Sequence, residues 1–142
     1  MKIQEIKFKK LNQNYSIFIG NNAINLLPKK LAVICPKVKK IALIIDTKIP
    51  NKFKKKIKNK LKNYELVILP FAANEKNKSL KKVSFYLNKI LEKNLNRSDL
   101  IIALGGGITG DMAGFVASIF KRGINFINIP TTLLAQVDSA IG

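Results

Sequence analysis

The residues best suited to chemistry form a glycine-rich segment, 105–111, which reads GGGITGD and has the spacing G-x-G-x-x-G. It directly follows an apolar run, 100–104, that has the length of a buried strand. Glycines at this spacing let backbone N–H groups approach a diphosphate, and a helix that begins there presents its positive end to the anion. The segment therefore predicts a nucleotide phosphate site, unless its glycines serve only a tight strand-to-helix turn.

Two features of the surrounding sequence refine this prediction. Asp111 is expected in the first turn of the helix, where a carboxylate stabilises the helix but lies close to a diphosphate. It should therefore face a neutral or hydroxyl-bearing group of the ligand. No acidic residue follows about 20 positions later to hold a ribose, as the usual dinucleotide fingerprint requires, so a ribose partner must come from elsewhere in the chain.

Charged side chains follow two other apolar runs. Asp46 ends the run 41–45 and is suited either to bind ribose hydroxyls at the carboxyl edge of the sheet or to form a turn or a cap. Glu75 and Lys78 follow the next run, 66–69. This opposite-charge pair is suited either to clasp a polar cofactor or to lie solvated on the surface.

Two threonines and an aspartate near the end of the sequence are further candidates. Thr131 and Thr132 follow the run 124–129, and their hydroxyls can cap the next helix or bind a ligand. Capping is the expected role of one of them. Asp138 is a lone carboxylate in an apolar helical stretch, and because burial of an unpaired carboxylate is costly, we interpret it as a functional residue.

The elements that position these residues alternate between strand and helix. Alternating side chains predict a hairpin, and mostly apolar runs predict four parallel strands. The expected fold is α/β, a doubly wound, mostly parallel, Rossmann-like sheet with an N-terminal β-hairpin, in one domain over residues 1–142. The hairpin strands are 3–8 and 15–19, and the parallel strands are 41–45, 66–69, 100–104 and 124–129.

Three stretches between these strands have a helical pattern. In the clearest one, 80–90, apolar residues recur at three- and four-residue intervals, and Ser79 is its predicted N-cap. The stretch 51–62 predicts a weaker, lysine-rich helix. The stretch 112–120 predicts a largely buried helix, because almost none of its positions is charged.

The charge of the chain is its most unusual compositional feature, since 26 basic and 8 acidic residues give +18 without any histidine. Only Arg97 and Arg122 are arginines, whereas recognition of phosphates and base edges favours the bidentate guanidinium. We therefore expect no nucleic-acid partner. The single cysteine, Cys35, excludes an internal disulfide and predicts a reducing, cytoplasmic compartment. No apolar stretch is long enough to predict a membrane span.

The end of the sequence resembles a known family. GGGITGD at 105–111, MAGFVASIFKRG at 112–123 and INIPTTLLAQVDSAIG at 127–142 are similar to the central signature of the 3-dehydroquinate synthases, which are sugar phosphate cyclases. The resemblance implies an NAD- and metal-dependent lyase of the shikimate pathway, which leads to chorismate and the aromatic amino acids. Its substrate would be the sugar phosphate 3-deoxy-D-arabino-heptulosonate 7-phosphate, and its products 3-dehydroquinate and phosphate.

The resemblance also implies roles for individual residues. Asp138 would hold a substrate hydroxyl, and Arg122 would reach the substrate phosphate from the neighbouring subunit of a homodimer. A bidentate arginine suits that phosphate. The residues that would hold NAD are Asp46, Glu75, Lys78, Gly106, Gly107, Ile108, Thr109, Gly110, Asp111, Thr131 and Thr132.

The chain departs from the family pattern in two places. Asn74 stands where the family usually has a glycine, in a slightly longer loop, 70–74. The family also continues beyond Gly142 with a helical domain whose glutamate and two histidines bind zinc or cobalt. The resemblance therefore implies a fragment truncated at its C-terminal end, which holds no metal and is inactive alone.

Two alternatives remain open at this point. The chain is also compatible with another sugar phosphate cyclase or a metal-dependent alcohol dehydrogenase of the same superfamily, which would share the nucleotide site. A stand-alone basic module is the other alternative. It predicts salt-sensitive DNA binding without NAD binding.

Overall fold

The structure is a computed structural model that describes residues 2–10 and 13–138. The tip of the predicted hairpin and the last residues of the family signature, 139–142, lie outside the described residues. The chain divides into two compact units, Met1–Ile34 and Cys35–Gly142. The organisation of the whole chain as one domain stays a prediction.

The first unit opens with the predicted hairpin. Strand β1 (Gln4–Lys10) pairs antiparallel with strand β2 (Gln13–Ile19). Phe8 and Tyr15 are partners in this register, and their rings stack with centroids 4.8 Å apart. A cross-strand aromatic pair of this kind fixes the register of an antiparallel ladder.

Helix α1 (Leu27–Ile34) completes this unit and was not predicted from the sequence. Pro28 occupies its first turn, where a missing N–H group is tolerated. Lys30 attaches the helix to the hairpin, because its Nζ donates to Glu5 Oε2 at 3.2 Å and lies 4.5 Å from the centre of the Phe18 ring. This hydrogen bond lowers the pKa of the Glu5 carboxyl.

The second unit contains a four-stranded parallel sheet, as the sequence predicts. Its spatial order is β4-β3-β5-β6. Both inner strands, β3 and β5, are almost wholly buried, which explains their uninterrupted apolar sequences. The strands are β3 (Lys40–Asp46), β4 (Glu65–Phe71), β5 (Leu100–Gly105) and β6 (Asn125–Pro130).

Apolar side chains on both faces of the inner strands are buried. Ala42 and Ile44 belong to a core cluster with residues of two helices, α3 (Leu80–Glu92) and α4 (Gly107–Ile119). The alternate positions of the same strand point to the opposite face. Leu43 is fully buried there. Covered faces on both sides are the property expected of a doubly wound sheet.

Two of the three predicted helices agree with the structure, and α4 differs. Helix α2 (Asn51–Lys60) and α3 lie where predicted, and Ser79 Oγ accepts from the backbone N–H of Lys82 as the N-cap. Helix α4 begins at Gly107 instead of residue 112. The prediction that it is largely buried was wrong for its outer face, because Phe115 is 47% exposed.

Candidate nucleotide-binding site

The junction between β5 and α4 forms the centre of the candidate site. Gly105 ends β5, Gly106 is the N-cap of α4, and no side chain caps this helix. The first helical bond runs from the Gly110 N–H to the Gly106 carbonyl, at 3.1 Å. The N–H groups that precede it have no acceptor within the helix, and such a helix start attracts an anion.

Packing accounts for two of the glycines in this segment. A Cβ atom at Gly105 would lie 2.5 Å from Thr109 Oγ1, and one at Gly110 would lie 3.0 Å from Asn128 Nδ2. Backbone conformation is not the reason for these glycines, since positive φ angles among the described glycines occur only at Gly20 and Gly123. Close approach of neighbouring side chains therefore explains Gly105 and Gly110 without a ligand.

Gly106 has neither explanation. Its φ and ψ angles are −80° and −170°, which any residue can adopt. A Cβ atom there would lie 3.4 Å from Thr132 Cγ2, an ordinary contact distance. Gly106 therefore leaves room for a Cβ atom at the N-cap of α4. A glycine at this position suits a diphosphate, which needs close access to backbone N–H groups.

Thr109 carries a buried hydroxyl beneath this junction. Its side chain is fully buried, and Oγ1 has no hydrogen-bond partner among the described residues. An unsatisfied buried hydroxyl destabilises a fold by roughly 1–3 kcal/mol. Nothing in the sequence indicated this, because the position of the hydroxyl depends on how tightly Gly105 packs against it.

Asp111 does not lie in the first turn of α4, contrary to the prediction. It is the fifth residue of the helix, in its second turn, because the helix begins at Gly107. The carboxylate is exposed, and Oδ2 accepts from Lys78 Nζ at 2.8 Å. This hydrogen bond, with the charge of Asp111, raises the pKa of Lys78.

The segment after β4 places Lys78 toward α4. Glu75 begins a 3-10 turn, Glu75–Asn77, and forms no salt bridge with Lys78 among the described residues. Their proposed roles, to clasp a cofactor or to lie solvated on the surface, stay predictions. Asn74 has an extended backbone, and its Oδ1 accepts from the Asn77 N–H at 3.0 Å. This capping bond gives the asparagine a structural role in the loop.

Asp46 lies at the carboxyl end of β3, as predicted. Its side chain is buried, and Oδ1 accepts from the Lys48 N–H at 2.9 Å. The turn-forming role that the sequence allowed is therefore present. No hydrogen bond to the other carboxylate oxygen, Oδ2, occurs in the described part of the chain, and that oxygen has the chemistry required to accept from ribose hydroxyls.

The two threonines after β6 have different roles. Thr132 Oγ1 accepts from the Ala135 N–H at 3.2 Å and caps helix α5 (Leu133–Val137), as expected for one of the pair. The Thr131 N–H donates to the Gly105 carbonyl at 2.9 Å, which attaches it to the end of β5. Both threonines therefore adjoin the glycine segment.

The structure does not bring Asp138 and Arg122 into this group in the way the sequence suggested. Asp138 is exposed at the C-cap of α5, so it is not the buried, unpaired carboxylate that the apolar sequence suggested. Arg122 is exposed and follows the C-terminal end of α4, just before β6 begins. The parallel strands begin at the edge of the sheet near Arg122 and end at the edge that holds the glycine segment. Arg122 therefore lies at the opposite edge of the sheet from that segment.

The backbone at Arg122 is strained. Lys121 and Arg122 have φ angles of 47° and 66°, in the left-handed region that favours glycine. Lys121 Nζ donates to the Leu95 carbonyl at 2.8 Å, and the Gly123 N–H donates to the Phe120 carbonyl at 2.9 Å. These bonds hold the turn in place.

A metal site is not formed by the residues that the structure describes. Among them, no three His, Cys, Asp or Glu side chains are grouped so that they could hold an ion. The described residues therefore do not fit a metal. No helix in residues 2–10 and 13–138 has both the length and the apolar character needed to cross a bilayer.

The matching family model and the most similar curated proteins that were compared agree on one family. Residues 68–142 match the family model described as 3-dehydroquinate synthase N-terminal. The 3-dehydroquinate synthase of Pelagibacter ubique is 45% identical over 142 residues, which are 100% of this chain and 39% of the relative. That of Streptococcus thermophilus is 46% identical over 135 residues, 93% of this chain and 38% of the relative.

A solved structure shows the same fold. A 2-deoxy-scyllo-inosose synthase, in complex with carbaglucose-6-phosphate, NAD+ and Co2+, superposes with a TM-score of 0.81 and is 26% identical. The superposition covers 97% of this chain and 38% of that protein. The chain thus spans well under half the length of the proteins it matches.

Proposed function

Because this chain belongs to the 3-dehydroquinate synthase family, we propose that it forms the NAD-binding N-terminal part of a 3-dehydroquinate synthase. The whole protein would convert 3-deoxy-D-arabino-heptulosonate 7-phosphate to 3-dehydroquinate and phosphate, as a lyase in the cytoplasm. The observation that supports NAD binding is the uncapped start of α4 at Gly106, where neither packing nor backbone conformation requires a glycine.

Each candidate residue has a role in this proposal. Bound NAD supplies a temporary acceptor for a hydride from the substrate. The N–H groups from Gly106 to Thr109 bind its diphosphate at the start of α4. Asp46 Oδ2 accepts from ribose hydroxyls, while Oδ1 keeps the turn to Lys48. Glu75, Lys78, Gly110, Asp111, Thr131 and Thr132 complete the NAD site.

Two residues outside the glycine segment, Asp138 and Arg122, hold the substrate. Asp138 accepts from a substrate hydroxyl, which suits its exposed position. Arg122 contacts the substrate phosphate from the neighbouring subunit of a homodimer, which agrees with its place at the far edge of the sheet. A divalent metal, zinc or cobalt, belongs to the proposed activity of the whole protein, and residues 1–142 alone are expected to give no turnover.

Calorimetry with NAD tests the proposal directly. The wild-type chain is expected to bind NAD at physiological salt, and its affinity for a short DNA duplex should be negligible. The basic-module alternative predicts the reverse result, with DNA binding that weakens steeply as salt is raised. Turnover of the sugar phosphate by purified residues 1–142 with NAD and zinc would contradict the expected inactivity.

A further inference from the structure

The ion pair between Lys78 and Asp111 joins two distant parts of the chain beside the candidate site. Lys78 follows the 3-10 turn after β4, and Asp111 lies on α4. Their atoms Nζ and Oδ2 are 2.8 Å apart, and the side chains are 45% and 42% exposed. Both side chains border an open groove of about 390 Å³ between α3 and α4. A ligand at the start of α4 would therefore find the pair accessible.

The position of Asp111 on α4 creates an electrostatic conflict with an anion. Asp111 stands four residues after Gly107, so the two lie on nearly the same face of the helix, separated by one turn. That separation is about 6 Å along the axis, which is shorter than the roughly 8–10 Å over which salt screens charges. An unpaired carboxylate there would repel a diphosphate bound at the first turn.

We propose that Lys78 and Asp111 act as one charge-neutral unit, in which Lys78 is a positioning residue that holds and neutralises the Asp111 carboxylate beside the bound diphosphate. This inference rests on the proposed NAD site. It differs from two independent contacts with NAD, because Lys78 then acts on the ligand through Asp111. The raised pKa of Lys78, caused first by its hydrogen bond to Asp111, agrees with a persistent pair.

The ion pair between Lys78 and Asp111 contributes little to the stability of the fold. Both partners are substantially exposed, and exposed ion pairs contribute little to folding. The pair also does not complete a hydrogen-bond network, since Lys78 Nζ and the Asp111 carboxylate bond only to each other among the described residues. Its effect is therefore expected in ligand affinity instead of in the midpoint of unfolding.

A double-mutant cycle measured by calorimetry with NAD tests the inference. Lys78→Met is expected to weaken NAD binding about fivefold in the wild-type background. In the Asp111→Asn background the same substitution should change the affinity less than about twofold. Raising the salt from about 0.05 M to about 0.5 M should shrink the loss in Lys78→Met, because the unpaired carboxylate is then screened. A purely structural role for Lys78 would give no such salt dependence.

Matched variants separate this effect from general loss of charge. Lys76 lies in the same exposed segment without an ion pair among the described residues, so Lys76→Met should change NAD affinity less than Lys78→Met does. Lys78→Arg should keep the wild-type affinity. Lys78→Gln provides a second neutral variant if Lys78→Met fails to fold.

Two different results would contradict the inference and the proposed function separately. Equal losses from Lys78→Met in both backgrounds would show independent contacts and overturn the inference, even though NAD binds. Failure of the wild-type chain to bind NAD would instead overturn the proposed function.

Discussion

Two strand-to-helix junctions of the same sheet differ in how the first turn of the helix is capped. At the junction of β4 and α3, Ser79 caps the helix and Tyr86 donates from its hydroxyl to the Pro70 carbonyl at 2.6 Å. At the junction of β5 and α4, the N-cap is Gly106 and no side chain satisfies the first turn. The first junction is complete by itself, whereas the second leaves donors for something else. Substitutions that exchange these properties test the difference.

Gly106→Ser should give the largest effect, because it places a capping side chain where the diphosphate is proposed to bind. Loss of charge-assisted hydrogen bonds worth about 1.5–3 kcal/mol corresponds to roughly 10- to 100-fold weaker NAD binding. Stability should change by only about a few tenths of a kcal/mol, since serine and glycine are both accepted N-caps. Calorimetry and urea unfolding measure the two effects. Unchanged NAD affinity in Gly106→Ser would show that the uncapped start of α4 does not bind the diphosphate.

Gly105→Ala should destabilise the fold by about 1–3 kcal/mol through overpacking. The added Cβ atom would meet the fully buried Thr109 side chain at 2.5 Å. Thermal or urea unfolding measures the loss. The double variant Gly105→Ala/Thr109→Ala should be less affected than the sum of its single changes, and strict additivity would argue against the clash. Gly106→Ser, at the neighbouring position where serine is an accepted N-cap, is the matched control.

Ser79→Ala should remove the cap of α3 and destabilise the fold by about 1 kcal/mol. NAD affinity should not change, because this junction completes its own hydrogen bonds. Ser84→Ala is a suitable control, since Ser84 is exposed in the interior of the same helix and caps nothing. A similar loss of stability in both variants would show that the cap contributes nothing.

Tyr86→Phe should give the smallest effect, about 0.5 kcal/mol, because it removes one hydrogen bond to the Pro70 carbonyl. Burial raises the pKa of the Tyr86 hydroxyl in the folded state. Its contribution is therefore complete below the unfolded pKa of about 10 and is lost as pH rises through the folded pKa. Unfolding midpoints against pH should fall more steeply for the wild type than for Tyr86→Phe above that value.

The strands and most helices could be predicted because their patterns follow from burial. Parallel strands covered on both faces need continuous apolar sequence, and β3 and β5 have it. The start of α4 was misplaced because glycine and threonine are weak helix formers, so the stretch 107–111 does not look helical. Tertiary packing of Thr109 and Gly110 decides that boundary.

The contacts of the candidate site were less predictable than its location. The carboxyl ends of the strands gave the location, and Asp46, the glycine segment and both threonines lie there. The partner of Lys78 is 33 positions away, and only the arrangement of β4 and α4 brings it near. Asp138 was misjudged because α5 is short and buries only Ala135, so an apolar sequence there does not mean a buried one.

The turn at Lys121 and Arg122 does not have the sequence that would make the fold most stable. Folding alone favours glycine at both positions, as at Gly123 beside them, yet the chain keeps two long cations there at about 1–3 kcal/mol each. Replacing Arg122 by glycine would relieve strain in the backbone and remove one guanidinium from the surface. The strained stretch of backbone thus coincides with a position where a guanidinium is exposed to solvent.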